Sequence, residues 1–354
     1  MARLPLAAPS SPRLLASAIA ASILAAACST APAGTDSRAS AVPSTLPTSP
    51  AAVASRAVRD GLAPVRTGEP IELADLDGRI VTDDFEDVFA FDVDGSHVQL
   101  IAGAPGSEFD GTWSPDGEWV VYRDSTRGIN ENDEVFLARA DGSEPRNISN
   151  DPANDWGPDW SPDGSTIAFN SDRDGRMAGF LVDPDGSNLR KLDLDVWFEY
   201  PSWSPDGTRI TFMGHTGGSY EVFVLELSSG EVTQLTDAPG DDSWPAWSPD
   251  GSIIAFSTER DDCRFAAPGV DCWDDGEPND EHRDVWLMDT DGANPRRVTS
   301  EAGQFVAWSP DGRYLLISGR ALYVVRPDGT GRLELRAEGT DRALGGIPDW
   351  RSGG

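Results

Sequence analysis

The sequence predicts an all-β fold: a six-bladed β-propeller of four-stranded blades, closed by a C-terminal strand that joins the N-terminal blade. Three observations lead there. The pentapeptide Trp-Ser-Pro-Asp-Gly stands at Trp113–Gly117 and recurs from Trp160, Trp203, Trp247 and Trp308, with a shortened sixth copy at Trp350 (PDWRSGG). The steps between these tryptophans are 47, 43, 44, 61 and 42 residues, close to the period of a four-stranded blade. Each full copy is also followed by the same succession of short β-rich runs and turn dipeptides.

The pentapeptide carries its own mechanism. Pro presets φ at the second turn position, Ser and Asp bond locally, and Gly takes the left-handed conformation that closes a tight hairpin. The Trp before the turn is large enough to fill the wedge between two blades. A residue that recurs in every blade serves the architecture, because a single active site needs its groups once. Trp113, Trp160, Trp203, Trp247, Trp308 and Trp350 are therefore structural, and Asp116, Asp163, Asp206, Asp250 and Asp311 are turn residues.

In chain order, residues 1–27 read as an export signal. Arg3 and Arg13 precede and open an apolar run, Leu14–Ala27, with no acid before it; 14 residues are too few for a permanent membrane span. The run ends at Cys28, and this resembles a bacterial lipoprotein signal, with Leu24 one place earlier than that family prefers. The resemblance implies a lipid anchor at Cys28 and an exported protein held on a membrane, periplasmic or at the outer cell surface; an ordinary cleaved signal peptide with an incidental Cys is the alternative. Residues 28–67, rich in Ala, Pro, Ser and Thr, offer little to a core and read as a disordered tether.

Residues 68–354 hold the propeller. After each pentapeptide comes a first run (Trp119–Arg123, Thr166–Asn170, Arg209–Met213, Ile253–Ser257, Tyr314–Ser318). A second follows (Val135–Ala140, Ala178–Asp183, Glu221–Leu227, Asp284–Asp289, Ala321–Arg326), in most cases ending in Asp-Gly, a strong hairpin signal. Third runs are Pro145–Ser149, Leu189–Leu192, Val232–Thr236, Pro295–Thr299 and Arg332–Leu335. The strand bearing the Trp makes four per unit. The first unit, Arg79–Thr82, Val88–Val93 and Val98–Ile101, lacks that strand, and Gly346–Trp350 supplies it. A ring closed in this way leaves no open edge between its ends.

The repeated unit, quoted in Pro201–Gly207 (PSWSPDG) and Asp284–Thr299 (DVWLMDTDGANPRRVT), resembles the TolB-like family of bacterial propeller repeats over about residues 75–350. The family's periplasmic namesake carries an extra N-terminal α/β domain, for which residues 29–67 leave no room, and is not lipid-anchored. A part in a Tol–Pal-like envelope complex therefore stands as an alternative to an independent binding role.

Charge narrows the partners. The chain has 28 Lys and Arg against 60 Asp and Glu, a net of -32, and Lys191 is its single lysine. Such a surface repels nucleic acid and anionic lipid and favours cationic partners. The chain is expected to be a monomer.

Function is expected where the sequence stops repeating. The innermost strand runs from the upper face to the lower, so the pentapeptide turns lie below and the connections into each Trp strand lie above, around the channel mouth. Three to five places before each Trp stand Glu108-Phe109-Asp110, Asp155-Trp156-Gly157, Phe198-Glu199-Tyr200, Asp242-Ser243-Trp244, Gly303-Gln304-Phe305 and Gly345-Gly346-Ile347. Aromatics beside acids at a concavity suit a cationic, sugar-like or peptide ligand. The candidate ligand-binding residues are Phe109, Asp110, Asp155, Trp156, Glu199, Tyr200, Asp242, Trp244 and Phe305; the alternative is that these rings pack blade against blade.

The long step hides an insertion at about residues 258–283. Cys263 and Cys272 lie in it, and outside the cytoplasm two such cysteines most often pair, closing a short loop worth about 2.5 kcal/mol on the chain-entropy model. A zinc site using both with His282 is an alternative, although the spacing matches no common structural zinc pattern. The acids of the insert make either a solvated lid or a Ca²⁺ site; the spaced acidic Ca²⁺ loop is not present, and no other cofactor or metal is expected. Catalysis has little support. There is no Gly-x-Ser-x-Gly elbow, and the histidines are His97, His215 and His282 alone. The expectation is a non-catalytic protein, peptide or saccharide binding and scaffolding module. The alternative is an envelope-polymer hydrolase or lyase using carboxylates at the mouth.

Overall fold

A computed structural model describes residues 68–103, 106–125, 132–260, 283–299, 303–319, 321–339 and 344–353. Cys28, Cys263, Cys272, His282 and the acids of the insertion between residues 261 and 282 lie outside the described residues.

The strands form six antiparallel four-stranded sheets. The inner strands are Asp349–Arg351 in blade 1, Glu108–Trp113 in blade 2, Asp155–Trp160 in blade 3, Glu199–Trp203 in blade 4, Asp242–Trp247 in blade 5 and Gly303–Trp308 in blade 6. Blades 2 to 6 are each one continuous stretch of chain. Blade 1 joins the last strand to Arg79–Asp83, Val88–Asp92 and Gln99–Ala102. The closing register pairs Arg79 with Arg351, Ile80 with Trp350 and Val81 with Asp349, so the expected six-bladed closure is the observed one. The outermost strands of blades 2, 3 and 5 are two residues each, Arg146–Asn147, Arg190–Lys191 and Arg296–Arg297. They are shorter than the sequence suggests; short, charged edges discourage pairing with other chains.

The core lies between blades rather than within them. Six clusters of buried side chains each join two neighbours: Val81, Val88 and Ala90 of blade 1, for example, meet Trp113, Val120 and Tyr122 of blade 2. Every repeat Trp belongs to one of these clusters or packs against it. Trp350 is 5% exposed and donates its indole N–H to the Asp77 carbonyl at 2.9 Å, fastening the last strand to the first blade.

The pentapeptide turns are near-identical. In blade 2, Ser114 Oγ donates to Asp116 Oδ1 at 2.6 Å and accepts from Trp119 N at 2.9 Å. The Glu118 N–H donates to the same Asp116 oxygen, and Gly117 has φ 68°. The Ser-to-Asp bond recurs at 2.7 Å in blades 3 to 6. These bonds hold the Asp116, Asp163, Asp206 and Asp250 carboxyls below the usual range; hydrogen bonds from Ser204 and Thr208 take Asp206 down to about 2.

Candidate functional site

The inner strands surround the axis as sheet edges without a further partner strand. Pro suits such an edge because it has no N–H to leave unpaired. Pro158, Pro201, Pro245 and Pro348 occupy it two residues before their tryptophans and line the axial cavity, whose volume is about 230 Å³.

Each inner strand of blades 2 to 6 carries one extra residue relative to its neighbour, a bulge that falls between the fourth and first places before the Trp in blades 2 to 5 and between Gly303 and Phe305 in blade 6. Bulges bend a strand and re-aim its side chains. Three residues before the Trp, the backbone is left-handed at Asp110 (φ 58°), Gly157 (60°), Tyr200 (46°) and Trp244 (48°). For a ring as large as Trp or Tyr that conformation is an outlier, the kind of local strain that collects at functional sites. All six residues at this position, Asp110, Gly157, Tyr200, Trp244, Phe305 and Ile347, line the cavity.

This collar is lopsided. Trp244 stands edge-on to Tyr200 (centroids 6.1 Å, 65°) and to Phe305 (4.7 Å, 75°), so blades 4 to 6 form an aromatic wall. On the other side Asp110 is 7% exposed, and its Oδ2 has no hydrogen-bond partner. Burial pushes its carboxyl up to about 6, against the pull of the Arg123 charge and the Gly157 N–H. Asp83, which accepts from Asp110 N at 3.4 Å, is pushed to about 7, first by burial and then by the Asp110 charge. A Cβ at Gly157 would press on Tyr200; the missing side chain gives that ring its room.

The other candidates are held elsewhere. Phe109 and Trp156, four places before their tryptophans, flank Arg123, whose guanidinium carbon lies 5.0 Å and 5.7 Å from the two ring centroids. Arg123 also donates to Asp133 at 2.9 Å. Asp155 and Asp242, five places before, are fully buried and turn into their blades. Arg173 donates to both Asp155 oxygens at 3.1 and 2.9 Å, and Arg260 to Asp242 at 2.6 Å. Glu199 lies under a third group. It accepts from Trp197 Nε1 and from Tyr220 Oη at 3.3 Å, with the His215 ring tilted against Trp197 at 4.9 Å. Of the nine candidates, the cavity thus gathers Asp110, Tyr200, Trp244 and Phe305.

Sequence reasoning missed Arg123, Arg173, Arg260, Trp197 and Tyr220. A signal existed for two of them: both acid–arginine pairs are 18 residues apart. It also missed two carboxylates lower in the channel. Asp159 accepts from Trp203 N and Asp349 from Trp113 N, each at 2.8 Å, stitching one inner strand to the next. Burial, helped by the Asp349 charge, pushes Asp159 up to about 8. Among the described residues no group of three or more His, Cys, Asp or Glu is placed to hold a metal ion.

Comparison with known proteins agrees with this architecture. Residues 82–199 and 196–263 match the family model described as the TolB beta propeller domain. TolB from Acinetobacter baumannii superposes with a TM-score of 0.60 at 19% identity, over 77% of this chain and 66% of that one, so the chain spans just under two thirds of that protein's length. A putative TolB from Agrobacterium tumefaciens gives 0.54 at 18% identity, over 78% and 98%. A chain of a nidogen/laminin complex gives 0.59 at 10% identity, over 77% and 97%, a likeness of fold alone. No curated protein matches the chain in sequence. With the matched segments running through half of its length, the chain belongs to the TolB β-propeller family.

Proposed function

We propose that this chain is an exported, non-catalytic docking module that captures an envelope protein or peptide at the mouth of its channel. A lipid at Cys28 would hold it on the membrane, with residues 28–67 as the tether. A Cys263–Cys272 disulfide would brace the insertion beside the mouth. The observation that carries the reading is the collar: six different residues, one per blade, turned toward one cavity on strands whose other ends repeat.

Size and geometry favour a peptide over a saccharide. Sites that enclose a whole small molecule run to roughly 300–1,000 Å³, whereas this cavity is about 230 Å³, suited to one inserted side chain. The three rings also meet edge to face instead of offering a flat platform to a sugar. Turnover has less support, because the Asp159 and Asp349 carboxylates are engaged in holding neighbouring strands. Membership of a Tol–Pal-like assembly would be one form of the same docking role.

The test is capture from detergent-solubilised envelope by the full chain and by Trp244→Gly. Blade 3 already carries Gly at this position, with the same left-handed backbone, so the variant keeps the bulge. A partner retained by the wild type and lost by the variant supports docking at the mouth. An unchanged set of captured proteins refutes it.

A further inference from the structure

The collar's two unpartnered polar atoms say what kind of side chain it receives. One is an acceptor, Asp110 Oδ2, on a residue 7% exposed. The other is a donor, the buried Trp244 Nε1. Leaving such groups unmet costs free energy, and both belong to cavity-lining residues. Nearby positive charge is already committed: Arg123 donates to Asp133 and lies between Phe109 and Trp156, and the buried Arg283, 4.8 Å from the Trp244 ring centroid, pairs with Glu259 at 2.6 Å.

Resting on the docking role above, we propose that the channel mouth recognises a basic side chain, Lys or Arg, presented by a peptide segment. Its ammonium or guanidinium would meet the Asp110 carboxylate, with Asp83 adding negative field from behind, while its methylenes run along Tyr200, Trp244 and Phe305. A tenfold preference corresponds to about 1.4 kcal/mol, the lower end of what a hydrogen bond to a charged group contributes. A basic side chain carries donors only, so it leaves Trp244 Nε1 unmet. A main-chain carbonyl of the same segment supplies the acceptor. That pairing selects a peptide over a free amine. The net charge of -32 draws such a segment in.

The purified full chain is titrated with fluorescein-labelled, end-blocked pentapeptides Gly-Gly-X-Gly-Gly, in which X is lysine, arginine, norleucine or glutamate. Unlabelled lysine peptide and n-butylamine serve as competitors. The lysine and arginine peptides should bind about tenfold more tightly than the norleucine peptide or better, the glutamate peptide most weakly, and n-butylamine should compete far less well than the lysine peptide. Asp110→Asn keeps the shape, and Asn tolerates the left-handed backbone of this position. It should abolish the preference for lysine over norleucine, with Asp110→Gly as the second variant if the first does not fold. Equal binding of lysine and norleucine peptides, no binding of any, or a lysine preference that survives both variants overturns the proposal. If that happens while Trp244→Gly still loses its captured partner, docking stands and only the basic side chain falls. If capture is indifferent to Trp244→Gly, docking itself fails.

Discussion

At the turn end of the inner strands, Ser and Asp make the same bond in blades 2 to 6; at the mouth end, three residues before the Trp, no two of the six blades carry the same residue. Both ends belong to strands a few residues long. The turn end faces one recurring problem, folding a hairpin against a neighbouring blade, and one solution suffices. The mouth end faces a single axial cavity, where six contributions are read together and copies would be redundant. Side chains that repeat hold the ring; those that differ give its centre a shape and a charge.

The largest effect should come from the structural end. Trp350→Ala removes a ring that is 5% exposed and holds the last strand to Asp77, so it should cost about 3–5 kcal/mol in urea unfolding. Trp244→Gly removes an indole of the same size from the mouth, where it is half-buried and sits at φ 48°. Relief of backbone strain of ~1–3 kcal/mol offsets part of the lost contact, so its stability loss should be clearly the smaller of the two. Equal losses would mean that the collar is core, and the comparison would break.

Next is the seam between the ends. Gly346 passes directly against the Asp83 carboxylate, and a Cβ there would fall on it. Its carbonyl also accepts from Ser318 Oγ at 2.6 Å. Gly346→Ala should cost about 1–3 kcal/mol by overpacking, read as a lowered midpoint with an unchanged m-value. Below it comes Asp206→Ala at a turn, which loses the bonds from Ser204 and Thr208. At an exposed site this should amount to about 1 kcal/mol or less. A larger effect at the turn than at the seam would reverse the ranking.

Much of this was legible in the sequence, for a physical reason. A hairpin that needs Pro, Asp and Gly at fixed places is specified locally, so five copies fix strand order, blade number and the closing strand. The site was legible only as a zone. Strand periodicity alone predicts that residues three and five places before the Trp share a face. In blades 2 to 5 the bulge falls between the fourth and first places before the Trp, so the third place lies inside it and leaves the alternation: Asp110 and Trp244 turn to the axis while Asp155 and Asp242 turn into their blades. Nothing local encodes the bulge except a Gly at one of its four left-handed positions. The arginines that neutralise the buried acids stand two residues past the end of the next strand, and a Cβ at Gly157, one blade away from Tyr200, would crowd that ring and Asn170.

The smallest effect sharpens the comparison because it gives the two ends opposite signs. At the turns of blades 2 to 5, hydrogen bonds lower the carboxyls, with Asp206 at about 2 in the fold against an ordinary 3.8. Such a group stabilises the fold above its unfolded value, and that contribution is lost as pH falls through about 2. In the channel and collar, burial raises them: Asp159 to about 8, Asp83 to about 7 and Asp110 to about 6. The folded state then holds protons that the unfolded state has released, so stability declines as pH rises from about 4 toward 8 and levels off above that. Melting temperature should therefore be higher at pH 5 than at pH 8. Asp159→Asn should flatten the slope over that range, since the amide oxygen can still accept from Trp203 N and carries no charge. The same groups set ligand binding. Asp110 is faced by Asp83 of blade 1, Arg123 and Asp133 of blade 2, the Gly157 N–H of blade 3 and Tyr200 of blade 4. Asp110 and the Asp83 behind it ionise between pH 5 and 8, so a lysine peptide should bind more tightly as the fold itself loosens. A melting temperature that is flat or rises across this range would show that the channel acids are charged and solvated, and the contrast between the two ends of the strand would lose its electrostatic half.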